Sequence, residues 1–211
     1  MIVESMTDQE FAKEVITDFF YEMKAYINRA LAYKGKTKRR HMSTYISKRG
    51  NKWLLIYTPE RGGQSSMHVK RPQPKEWFTW YSLMLLPNNS ITLFGFNKHV
   101  AQRISERYYS DLTPTDALQQ MLMRTPAIVQ TEVGDRFYTR VNGGICIGSA
   151  FGKRILVSVD RFRVQVDLRE TRTFVSDDML YDEQKSVTEK SIADAIAKLG
   201  KDYLSDTDRE I

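Results

Sequence analysis

Cysteine is nearly absent from the chain. Cys146 is the only one in 211 residues, which excludes an internal disulfide. It sits in an apolar alternating run, the setting of a buried structural thiol. Histidine is scarce as well. His41, His68 and His99 stand far apart, and together with one cysteine they offer no zinc-ligand spacing. No metal and no cofactor is expected. No apolar run approaches the roughly 20 residues that span a bilayer. The opening MIVESMTDQE lacks a basic segment followed by an apolar one, so no secretory signal is read there. The expectation is a cytoplasmic, metal-free protein with no membrane partner. Phosphate-cradling and dinucleotide glycine patterns are missing too, and Ser149 and Ser158 lack a nucleophile-elbow context.

Acidic residues are missing from one region in particular. Residues 34–75 hold 12 Lys/Arg and a single acid, Glu60. Residues 1–110 hold 18 Lys/Arg against 9 Asp/Glu, while 111–211 hold 14 against 17, within an overall formal charge of +6. Such asymmetry points to a polyanionic partner, nucleic acid first, or to a solvated basic surface. Lys34, Lys36, Lys38, Arg39 and Arg40 form the densest run. With Lys70 and Arg71 they are the candidate phosphate contacts.

What is present is ordinary globular sequence. Thr7 to Leu31 reads as one long amphipathic helix. Thr7 and Glu10 make a capping box, and Phe11, Val15, Phe19, Met23 and Ile27 make an apolar stripe that would dock on a core or pair with a second copy. Strands are read at 43–49 and 52–58 around Gly50-Asn51, and at 77–86 and 90–96 around Pro87-Asn88-Asn89. Residues 59–76 are rich in Pro and Gly and read as a long loop. Trp77, Phe78, Trp80 and Tyr81 suit either a core or the stacking of bases. A helix follows at 97–109. Another starts at Thr113-Pro114 and runs to about Arg124. Strands return at 136–141, 144–151, 153–160 and 162–168, with Asn142-Gly143 as a tight turn. Residues 170–187 look irregular, and Thr188 caps a final helix reaching about Tyr203.

The most pointed pattern is His99, Arg103 and Arg107. At four-residue steps on a helix they drift only about 40° each and share one face. Like charges at this spacing repel, and an anion such as phosphate would relieve them. A neutral imidazole beside two guanidiniums is also able to move a proton. The structural alternative is an Arg103–Glu106 pair, a second acid for Arg107 and His99 as a helix-start residue.

The His-x3-Arg-x3-Arg helix, followed by the short helix at Asp111–Leu118 and the strands after Gly143-Gly144 and at Lys153–Val157, resembles the barnase–EndoU–colicin–RelE group of toxin nucleases, in particular BrnT-like toxins. The resemblance covers about residues 95–175. It implies a metal-independent ribonuclease with His99 as acid or base and Arg103 and Arg107 on the phosphate. It also implies an antitoxin-like protein partner. Arg161, Arg163, Arg169, Thr171 and Arg172 are candidates for the strand contribution to that site. This chain places a long helix and four strands in front of that region.

The expectation is therefore an α+β protein of antiparallel sheets with a long N-terminal helix, a central His/Arg helix and a C-terminal helix. It would divide into residues 1–94 and 95–211 or form one continuous domain. Its function would be RNA cleavage without metal. The alternative is non-catalytic binding of nucleic acid or protein, as by an accessory protein of a phage or mobile element that inhibits a host nuclease, with a homodimer through the first helix.

Overall fold

A computed structural model describes residues 1–32, 40–58, 65–75, 77–86, 90–125 and 130–199. The chain divides into two compact units. Met1–Gly95 with Gly152–Arg169 make the first, and Phe96–Phe151 with Glu170–Ile211 make the second. Residues 152–169, grouped by sequence with the second half, thus belong to the first. No helix among the described residues is long and apolar enough to cross a membrane.

The α+β expectation is corrected: the fold is mostly β, with 44% strand against 35% helix. Ten strands are present among the described residues, and three of them explain the difference. β3 (Ser65–Gln73) occupies the stretch read as a loop, because its Pro72 lies near the end of the strand, where a missing N–H is tolerated. β6 (Gln130–Val133) is too short to show a period. β10 (Phe162–Ser176) runs on through the stretch read as irregular, with a register shift between Thr171 and Thr173. The long first helix is also interrupted. α1 (Asp8–Asp18) passes into a π-helical turn, Phe19–Met23, and then α2 (Lys24–Ala32).

In the first unit, β1 (His41–Ile46), β2 (Lys52–Tyr57), β3 and β4 (Trp77–Leu85) pair antiparallel in sequence order, and β5 (Ser90–Phe96) follows β4. β9 (Lys153–Val159) forms a hairpin with the first half of β10. α1 starts at the expected capping box, with the Thr7 hydroxyl accepting from the Glu10 amide at 3.3 Å and the Glu10 carboxylate accepting from the Thr7 amide at 2.8 Å. The helix is then buried on two sides. Phe11, Val15 and Phe19 are joined by Ala12 and Ile16 in one cluster with Trp53, Leu55, Val69 and Tyr81 of the sheet and Ile155, Val157 and Val166 of the β9–β10 hairpin. Gln9, Glu10 and Lys13 stay exposed, and the apolar residues of α1 are all spent inside its own unit.

In the second unit, α3 (Lys98–Arg107) and α4 (Pro114–Arg124) precede a meander. β7 (Arg136–Val141) pairs with β6 and with β8 (Gly144–Ser149), and β8 pairs with the second half of β10. Asn142-Gly143 makes the tight turn, with Gly143 at φ +80°. α5 (Asp182–Leu199) begins six residues before the expected cap. Thr188 lies inside it, its hydroxyl donating to the Gln184 carbonyl at 2.8 Å.

Candidate nucleic-acid interface

α3 begins at Asn97, whose side chain accepts from the Val100 amide at 3.1 Å and donates to the Thr171 carbonyl at 3.0 Å. Val100, Ala101 and Ile104 are its buried face. His99, Arg103 and Arg107 are left toward the other side, as their spacing requires. The arginines are engaged. Arg103 pairs with Glu106 at 3.1 Å, its side chain 40% exposed, the pairing foreseen as the alternative to catalysis. Arg107 donates to the Phe174 carbonyl at 2.7 Å, a backbone tether in place of the expected acid. His99 is exposed. The group is a stripe, and among the described residues only His99 has no partner.

The strand candidates scatter. Arg161 and Arg163 are exposed and Arg169 is half-buried, all within the first unit. Thr171 is fully buried and Arg172 exposed in the second. The stretch that carries the toxin resemblance is thus divided between the units.

In the first unit, Lys34, Lys36, Lys38 and Arg39 lie outside the described residues. Arg40 precedes β1 and is half-buried. Arg71 is structural: it pairs with Asp8 at 2.7 Å, donates to the Met6 carbonyl at 2.8 Å and covers the Phe11 ring at 4.6 Å. Lys153 shares Asp8. The two cations hold the Asp8 carboxyl below its ordinary range, against the burial that would raise it.

Lys70 differs. Met67 and Val69 face the α1 cluster, so strand alternation puts Lys70, Pro72, Phe78 and Lys52 on the opposite face. The register Trp53↔Val69 sets Lys52 and Lys70 against each other across β2 and β3, a like-charge pairing that is destabilising. Neither has a carboxylate partner among the described residues. The Lys70 ammonium rests 4.0 Å from the Phe78 ring centroid. Burial, and then the Lys52 charge, push it below its ordinary value. Phe78 lies parallel to Trp77, 5.1 Å away at 6°, and meets Trp80 edge-on at 5.9 Å. Of the four aromatics read as core or stacking platform, Trp80 and Tyr81 are buried and Trp77 and Phe78 are partly exposed.

Sequence reasoning missed two polar sites. His68 is fully buried on the same face as Lys70. It lies 2.6 Å from the Ser82 hydroxyl through Nδ1 and 3.1 Å from the Ser66 hydroxyl through Nε2, and burial pushes it down to about 3. A neutral imidazole satisfied by two hydroxyls is a poor general base at neutral pH. The second site is an acidic stripe, Glu14, Asp18 and Glu22, at the same four-residue steps as the basic one. Glu14 takes a two-pronged contact from Arg49 at 2.5 and 2.9 Å and is pulled to about 2, chiefly by Arg49. Asp18 accepts from Ser47, Asn51 and Trp53 at 2.7, 2.8 and 2.9 Å. Glu22 accepts from the Lys48 amide at 2.8 Å. Together they pin the β1–β2 turn to the helix. Their spacing was the available signal.

Comparison with family models, curated proteins and solved structures gives no match.

Proposed function

We propose that the chain is a non-catalytic nucleic-acid-binding protein that takes the phosphate backbone through its basic first half. The observation that carries this reading is the Lys52–Lys70 pair. Folding has placed two ammonium groups side by side, Lys52 exposed and Lys70 half-buried, with no carboxylate among the described residues to neutralise them, at a cost that a phosphate would remove. By sequence, residues 34–75 hold 12 Lys/Arg, these two included, against one acid, an excess of the sign that draws a polyanion.

The test is binding of labelled RNA and DNA oligonucleotides to the full chain as salt is raised. Binding should weaken log-linearly. The Lys52→Gln/Lys70→Gln variant should lower the slope by about 0.7 per lysine for single strands. Binding without salt dependence, or an unchanged slope in the double variant, would sink the reading.

A second reading, metal-independent RNA cleavage of the toxin type, is favoured by the exposed His99 beside Arg103. The same RNA, incubated without divalent metal, distinguishes it. Cleavage that leaves 2′,3′-cyclic ends and disappears in His99→Ala would establish an enzyme. Intact RNA under tight binding supports the non-catalytic reading.

A further inference from the structure

We propose that the nucleic acid bound at this face is single-stranded, and that an unpaired base stacks on the Phe78 ring in the place that the Lys70 ammonium holds in the free protein. The inference rests on the nucleic-acid reading and adds the form of the ligand to it. Its basis is the way Phe78 is held. Trp77 backs the ring in parallel at 5.1 Å, and Trp80 meets it edge-on at 80°. The ring therefore presents a fixed flat surface with few conformations to lose on binding. Trp80 is almost fully buried, which anchors the set to the sheet.

The occupant of that surface is a cation with reasons to leave. The Lys70 ammonium is 4.0 Å from the ring centroid, partly stripped of water and repelled by Lys52. A stacking base offers the ring a larger contact than an ammonium does. Its phosphate offers the displaced ammonium a full negative charge. A nucleotide meets both demands at once, and an isolated phosphate meets only the second. A duplex has its base faces stacked inside and leaves Phe78 unused. Pro72 stands directly across from Phe78 in the β3–β4 register, and Ile46, exposed, is opposite Lys52. Both give the strip apolar margins suited to bases.

The experiment uses the full chain with a single-stranded oligonucleotide, the same strand carrying abasic sites, and the matching duplex, all at one salt concentration. The wild type should bind the intact single strand about ten-fold or more tightly than the abasic strand or the duplex, the size of one lost stacking contact. Tryptophan fluorescence should be quenched only by the intact strand. Phe78→Leu keeps an apolar side chain and removes the flat face. It should bind all three alike while keeping the salt slope, with thermal unfolding checked in parallel. Equal, salt-dependent wild-type binding of the intact strand, the abasic strand and the duplex would overturn the stacking inference and leave the nucleic-acid reading in place. That comparison holds even if the variant does not fold. Absence of any salt-dependent binding would overturn both.

Discussion

His68 should make this protein acid-sensitive at a pH where carboxylates do not titrate. The imidazole is fully buried between Ser66 and Ser82, and burial lowers it from 6.5 to about 3. The unfolded chain takes up a proton as pH falls through 6.5, while the folded chain stays neutral down to about 3. The unfolded state thus binds more protons throughout that window, so stability falls with falling pH. The slope approaches about 1.4 kcal/mol per pH unit. Between pH 7 and pH 5 the loss comes to about 2 kcal/mol. Glu14 acts lower down. Its carboxyl is held at about 2 against an ordinary 4.5, so its contribution, present above 4.5, is lost only below that value. Urea unfolding followed by circular dichroism between pH 7.5 and 5 isolates the histidine. The wild type should lose about 2 kcal/mol across that range, and His68→Gln should be nearly flat. A wild-type stability that does not change, or a His68→Gln slope equal to it, would refute the assignment of a buried neutral imidazole.

Two further substitutions test packing. Asp18→Ala strands the donors of Ser47, Asn51 and Trp53 and should cost roughly 3 kcal/mol in urea unfolding. Asp18→Asn keeps an acceptor oxygen there and should cost under about 1 kcal/mol. Equal losses would show that the carboxylate charge, and not its acceptor role, holds the turn. Gly143→Ala combines a φ of +80° with a Cβ that would lie 2.4 Å from the Tyr108 ring, and should lower stability by roughly 2 kcal/mol or more. Gly134→Ala, at φ +61° with nothing within 4 Å, should cost only the roughly 1 kcal/mol of holding a Cβ in the left-handed region. Thermal unfolding compares the two.

The parts of the fold that the sequence announces are those fixed by local chemistry. The Thr7–Glu10 box, the Thr113-Pro114 start and the Asn142-Gly143 turn each need only a few neighbouring residues, and each is where its pattern places it. The parts that stay hidden depend on distant ones. Ala12 and Ile16 look like the margin of a stripe until β9 and β10, some 140 positions later, close over them. Residues 65–73 carry a proline and a charged run, and are a strand only because β2 and β4 flank them. Among candidate site residues, the spacing of His99, Arg103 and Arg107 gives their shared face correctly. It does not tell that Arg107 ends on the Phe174 carbonyl, because a backbone acceptor leaves no mark in composition. Asp18 escapes for a similar reason, since its three donors are spread over the β1–β2 turn and the start of β2.

The way the two kinds of cation are used sharpens the charge asymmetry into something chemical. A guanidinium is weakly hydrated and forked, so it can be buried against a carboxylate or several carbonyls, whereas an ammonium holds its water strongly. In the first unit, Arg49 and Arg71 are bound to Glu14 and Asp8. In the second, Arg140 grips Asp177 at 2.5 and 3.0 Å and the Gly144 carbonyl at 2.9 Å, and Arg107 holds Phe174. These arginines are struts between elements, and the positive charge they add to the sequence is largely neutralised or tied to the backbone. Lys52 and Lys70 have no such partner among the described residues. A net charge counted by sequence therefore overstates what a polyanion would meet, and the lysines are the better guide to where it would bind. On the second face of the β1–β4 sheet they adjoin a rigid aromatic ring, so charge and a stacking surface coincide there. On α3 the basic stripe has charge alone, half of it already paired.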